Sequence, residues 1–71
     1  MDQGVVKTYD PVTGVGIVVR DTDRSEVFLR PGSLKGSVFR TLRQGQRIVF
    51  ETQSDQGREF IIRLRLGQEG Y

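Results

Sequence analysis

The chain of 71 residues contains no cysteine, no histidine and no tryptophan. Without cysteine there is no disulfide, no thiol nucleophile and no zinc site of the Cys/His kind. Without histidine the commonest general base near neutral pH is missing. Proline occurs only at positions 11 and 31. The longest apolar stretch, Val15 to Val19, holds four apolar side chains around Gly16. That is far short of the roughly 20 residues a membrane-spanning helix needs, and it is no signal-peptide core. Gly14-Val15-Gly16 lacks the third glycine and the following helix of a dinucleotide fingerprint, and no Gly-Lys-Ser/Thr phosphate loop is present. Asp21 and Asp23 lie two apart in a polar turn without the remainder of a calcium loop, so they read as solvated turn residues. The expectation is a cytoplasmic, non-membrane binding module: not an enzyme, with no catalytic residue, no metal site and no cofactor.

A chain this short leaves room for one core, and buries only about 60% of the surface its unfolded form exposes. The expected organisation is one domain over residues 1–71, with its core at about 3–66 and a tail at 67–71. The net charge of +2 hides an asymmetry. Residues 1–29 carry three cations and five anions, whereas residues 30–71 carry eight cations and four anions. Positions 30–50 hold Arg30, Lys35, Arg40, Arg43 and Arg47 with no acid among them. Nine of the eleven cations are arginine, whose planar guanidinium pairs bidentately with phosphate and stacks on base faces. Two readings stand: a surface that faces nucleic acid, and ordinary solubilising charge on a small domain.

Glycine recurs at nine positions, and between the breakers lie short runs rich in Val, Ile, Phe and Thr. These read as five strands: 4–9, 15–20, 26–30, 48–52 and 58–66. Asp10-Pro11-Val12-Thr13-Gly14, Asp21-Thr22-Asp23-Arg24 and Ser54-Asp55-Gln56-Gly57 have the chemistry of turns. Residues 33–45, with Gly36 inside and Gly32 and Gly45 at their borders, read as a long loop with at most a turn of 3₁₀ helix. Five short strands with one long connection predict an all-β fold, a small closed or nearly closed barrel of OB or SH3 type, in which closure removes open sheet edges. The two-residue strand period puts Gly16 and Val18 on one face and Val15, Ile17 and Val19 on the other. Likewise Val27 and Leu29 face one way and Phe28 and Arg30 the other. One face fills the barrel, so Val15, Ile17 and Phe28 are displayed outward. In strand five, Ile62, Leu64 and Leu66 are expected on one face, with Arg63 and Arg65 outside.

Gly4-Val5-Val6-Lys7-Thr8-Tyr9, Gly14-Val15-Gly16-Ile17-Val18 and Val27-Phe28-Leu29-Arg30 together resemble the first three strands of a cold-shock domain. Gly36 to Glu51, with Thr41-Leu42-Arg43-Gln44-Gly45-Gln46-Arg47-Ile48-Val49-Phe50-Glu51 as its most specific part, resembles that family's long loop and fourth strand. The resemblance spans about residues 3–66. It implies a five-stranded antiparallel OB-type barrel, with a long loop between strands three and four. It also implies binding of single-stranded RNA or DNA on the face of strands one to three. In the family, the motifs Lys-Gly-Phe-Gly-Phe-Ile and Val-Phe-Val-His-Phe and a strand-one Trp supply a stacking platform. Here the Trp position is Thr8, the two Phe positions of the first motif are Val15 and Ile17, and its Lys is Thr13. Phe28 is retained, the His is Arg30, and the closing Phe is Pro31. A loop aromatic is retained as Phe39, and Tyr9 fills an aromatic position that lies mostly inside the barrel.

The scaffold is therefore kept while four platform rings are replaced. Each base stacked on a ring is worth roughly 1–3 kcal/mol, so binding is expected to be weak, reliant on charge and steeply salt-dependent. The candidate contact residues are Lys7, Thr8, Val15, Ile17, Phe28 and Arg30 on the strands, and Phe39, Arg40 and Arg43 in the loop. The competing reading is a protein-interaction or self-associating module, a homodimer included, that uses the Val15/Ile17/Phe28 patch with little affinity for nucleic acid. Branched aliphatics rimmed by Arg suit a dry protein contact as well as they suit a base.

Overall fold

The computed structural model describes residues 2–32, 34 and 41–66. Five strands occur in chain order: β1 (Asp2–Tyr9), β2 (Gly16–Arg20), β3 (Glu26–Leu29), β4 (Arg47–Asp55) and β5 (Arg58–Leu66). No helix occurs among the described residues. The ladder order is β1-β2-β3-β5-β4, and β4 pairs back onto β1 to close the barrel. Four of the pairings are antiparallel; β3 and β5 run parallel, joined at Phe28 and Phe60. This is the five-stranded OB-type barrel expected from the sequence. Closure pairs the strand edges that so small a sheet would otherwise leave open.

The alternating pattern of β2 and β3 drives the inside. Val6, Val18, Val27, Leu29, Ile48 and Phe50 are each no more than 1% exposed and form one cluster with Leu42, Ile61 and Leu64. Tyr9 packs partly buried against this cluster, as the resemblance implied. Gly4 lets β1 and β2 approach closely: a Cβ there would lie 2.4 Å from the carbonyl oxygen of Val19. Gly16 sits tightly beneath Tyr9 and Leu29, with the Thr8 carbonyl oxygen 2.9 Å from where its Cβ would be. Leu34 and Leu42 tie the two described ends of the β3–β4 connection to the core. The rest of that connection lies outside the described residues.

Two expectations are corrected. In β5, Ile62 is not on the core face with Leu64. Glu51 pairs with Arg63 and Thr52 with Ile61, so Ile62 is an extra residue opposite no partner. A bulge of this kind reverses the alternation on its far side. Ile61 is therefore buried at 3% exposure and Ile62 stands out at 49%. The second correction concerns β4, which does not end at Thr52. The ladder runs on through Gln53, Ser54 and Asp55, and Asp55 pairs with Arg58. Only Gln56 and Gly57, with φ of 53° and 81°, make the turn. Positive φ at both loop residues is the type I′ geometry whose twist matches that of the flanking strands, so polar residues can extend the hairpin.

Candidate nucleic-acid interface

The outward wall is organised by a second bulge. Val6 pairs with Val18 and Thr8 with Ile17, leaving Lys7 as the extra residue of β1. The bulge turns Thr8 outward beside Ile17, while Tyr9 comes to lie opposite Gly16 and points inward. Ile17 in turn pairs with Phe28, and Phe28 with Phe60. Thr8, Ile17, Phe28 and Phe60 thus form a transverse row across β1, β2, β3 and β5. Ile17 and Phe28 are half-buried on this wall, while their neighbours Val18 and Val27 are sealed inside.

At the β1–β2 end the wall is aliphatic. Val15 is 46% exposed, and a groove of about 470 Å³ runs beside it, lined by Thr8, Tyr9, Asp10, Thr13, Val15, Gly16 and Ile17. The loop that borders it is held by its own backbone. The Asp10 N–H donates to the Val15 carbonyl at 2.9 Å, and the Gly14 N–H to the Asp10 carbonyl at 2.7 Å. The Asp10 carboxylate accepts from the Val12 N–H at 2.9 Å, a local turn that keeps this carboxylate on its own loop. Thr8, Val15 and Ile17, three of the four positions at which the family's platform rings are replaced, all line this groove.

At the β3–β5 end the wall is aromatic and cationic. The Phe28 and Phe60 rings are 6.0 Å apart between centroids and tilted by 50°. The Arg30 guanidinium lies 3.6 Å above the Phe60 centroid, and its Nη2 donates to Asp55 Oδ2 at 2.8 Å. The Arg58 guanidinium lies 5.8 Å from the Phe28 centroid. Asp55 and Arg58 face each other across the tight hairpin, so the β4–β5 turn positions both charges.

The acid-free stretch of sequence does not remain acid-free in space. Arg30 is paired with Asp55 and Arg47 with Asp21. Lys7 is also paired, to Glu26 at 2.8 Å, with both side chains about half exposed. Arg43 is exposed in the loop before β4, where its N–H donates to the Gln46 side chain at 3.0 Å. In the β2–β3 turn the Ser25 hydroxyl, seconded by the Ser25 N–H, holds the Asp23 carboxyl below its ordinary range. Among the described residues no three His, Cys, Asp or Glu side chains group as metal ligands, and no helix is long and apolar enough to cross a membrane.

Of the residues nominated from sequence, Lys7, Thr8, Val15, Ile17, Phe28 and Arg30 share this wall, and Arg43 lies in the loop. Phe39 and Arg40 lie outside the described residues. Two residues of the wall were missed, Phe60 and Arg58. Uninterrupted alternation puts Phe60 on the face of Leu64, inside the core; the bulge at Ile62 turns it out. The signal available was the Gln56-Gly57 pair, which marks a two-residue hairpin and so fixes the register of β5 against β4 from Arg58 onward.

A family model described as the 'Cold-shock' DNA-binding domain matches residues 2–62. The chain belongs to the cold-shock domain family. Among curated relatives, the "Probable cold shock protein A" of Mycolicibacterium smegmatis is 36% identical over 58 residues, covering 80% of this chain and 87% of the relative. The "Probable cold shock protein A" of Mycobacterium tuberculosis is 33% identical over 51 residues, with coverage of 72% and 76%. The "Cold shock-like protein CspA" of Rickettsia typhi is 25% identical over 63 residues, with coverage of 89% and 90%. The matched family is one of binding domains, in keeping with a wall that offers stacking and charge.

Proposed function

We propose that this cold-shock domain is a binding protein for single-stranded RNA or DNA, and that it holds its ligand on the outer wall of β1–β3. The observation that carries the reading is the split of β2 and β3. Val18, Val27 and Leu29 fill the barrel, while Ile17 and Phe28 are left on a half-exposed wall flanked by Lys7 and Arg30. Planar bases need an apolar surface beside cations that meet the phosphates, and this wall has both. Three of the family's ring positions on it are Thr8, Val15 and Ile17, so affinity leans on charge. Arg43, with Arg40 and Phe39 in the long loop, completes the contact set. Residues 1–71 act as one such domain.

The test is a fluorescence-anisotropy titration with labelled oligo(dT) and oligo(U) at about 50 and 200 mM salt. With two to three phosphate contacts and a single-strand slope near −0.7 per contact, affinity is expected to fall roughly 7- to 18-fold between the two conditions. Absence of binding at the lower salt would refute the reading and return the Val15/Ile17/Phe28 patch to a protein contact.

A further inference from the structure

We infer that the hollow between Arg24 and Arg47, at the end of β2, is a phosphate site, and that the phosphate it takes belongs to the strand held on the outer wall. The inference rests on the proposed binding of single strands and adds where such a strand continues beyond the wall. On the outer face of β1 and β2 the rung after Thr8–Ile17 is Val5–Val19, since the bulge at Lys7 brings both rungs to the same side. Two strand residues span about 7 Å, so the hollow begins one step from the stacking wall. It has a volume of about 260 Å³ and is lined by Val5, Val19, Arg20, Asp21, Arg24 and Arg47. None of these residues belongs to the contact set proposed above.

Val5 and Val19, both half-buried, give the hollow an apolar floor. Arg47 borders it from β4, in register with Val5. Arg24 borders it from the β2–β3 turn, where its N–H donates to the Arg20 carbonyl at 2.9 Å and its φ is 62°. Three guanidinium groups thus line the hollow against one carboxylate. Arg20 is already met by Glu59 and Asp2 and is only 14% exposed. Glu26, which shares the rung of Val19, is met by Lys7. Asp21 is paired with Arg47, which shows that this border accepts an anionic oxygen. One carboxylate cannot satisfy the five N–H donors of a guanidinium, so Arg47 keeps donors for a second anion. Arg24 is exposed, and its side chain has no ion-pair or hydrogen-bond partner among the described residues. Cations around a concave apolar floor concentrate the field, and arginine forks match the oxygens of a phosphate. A carboxylate from a partner protein would meet the same donors. Position favours the phosphate: the hollow lies one rung from a wall that offers bases an apolar surface.

The experiment combines a measurement on the unaltered chain with three substitutions. Backbone and guanidinium resonances are followed by NMR while inorganic phosphate, acetate or dT12 is added, each at an ionic strength of about 50 mM. Kd for dT12 and its salt dependence are then measured for Arg24→Gln, Asp21→Asn and Arg63→Gln, the last an exposed cation of β5 that serves as a charge control. Phosphate, but not acetate, is expected to shift Val5, Val19, Arg24 and Arg47, and dT12 to shift the same residues together with Ile17 and Phe28. Arg24→Gln is expected to lower affinity about eightfold at about 50 mM salt and to flatten the slope of log K against log salt by about 0.7, the worth of one phosphate contact on a single strand. Asp21→Asn releases Arg47 and is expected to raise affinity, whereas Arg63→Gln leaves the slope unchanged. The inference is overturned if dT12 binds with shifts confined to the wall, if Arg24→Gln alters the slope no more than Arg63→Gln does, or if acetate shifts the hollow as phosphate does. Failure of the unaltered chain to bind dT12 overturns the wider proposal instead, and the phosphate titration then decides whether the hollow holds the anion. Should Arg24→Gln misfold, the shifts on the unaltered chain decide.

Discussion

Glu26 sits on the rim of the proposed interface and occupies Lys7, whose Nζ it meets at 2.8 Å. Glu26→Gln removes that competitor and one negative charge from the wall. The pair is exposed on both sides, so its loss costs the fold no more than about 1 kcal/mol. On binding, the released Lys7 gains one phosphate contact. Each such contact on a single strand steepens the dependence of log K on log salt by about 0.7. Taken to a 1 M reference, that is about an eightfold gain in affinity at 50 mM salt and about threefold at 200 mM. Anisotropy titrations of the unaltered and Glu26→Gln proteins at several salt concentrations read both the slope and the gain. Equal slopes and equal affinities would place Lys7 away from the bound strand and refute the geometry of the wall. A gain with no change of slope would mean that Glu26 acts by general repulsion, not by holding Lys7.

Three further outcomes concern the barrel. Ile61→Ala should cost about 2–5 kcal/mol in urea unfolding, out of a total of roughly 4–11 kcal/mol for a domain of this size, while Ile62→Ala stays within about 0.5 kcal/mol; equal losses would refute the bulge in β5. Gly4→Ala drives a methyl group to 2.4 Å from the Val19 carbonyl oxygen, which is backbone and cannot swing away. After allowing for the unfolded-chain entropy that Ala removes, a net loss of about 2 kcal/mol should lower the melting midpoint by about 8–16 °C in a calorimetric scan. Because the folded Asp23 carboxyl is held below its unfolded value, its contribution is present above the ordinary carboxylate range and is lost as pH falls through the lowered value. Asp23→Asn should therefore show a shallower loss of stability as pH falls below the ordinary carboxylate range, measured by urea unfolding at a series of pH values.

Local chemistry determined most of the scaffold. The two-residue period in Val15–Val19 and Val27–Arg30 divides the side chains between two faces, and the resemblance to a known family names the outward one. Turn residues at 10–14 and 21–24 cut the strands at nearly the observed places, since proline and glycine restrict or free the backbone wherever they stand. The loss of rings at Thr8, Val15 and Ile17 was likewise legible, being a matter of residue type at matched positions. The tertiary structure decided what depends on partners far along the chain. The bulges at Lys7 and Ile62 exist because a neighbouring strand fixes the register on either side of them, and the apolar period within one strand does not record that constraint. Ion pairs such as Arg30–Asp55 and Arg47–Asp21 join residues 25 and 26 positions apart, so the basic stretch of sequence is partly neutralised only after folding. The meeting of Phe28 with Phe60 needs β3 and β5 to lie parallel, an outcome of barrel closure that periodicity within one strand cannot express.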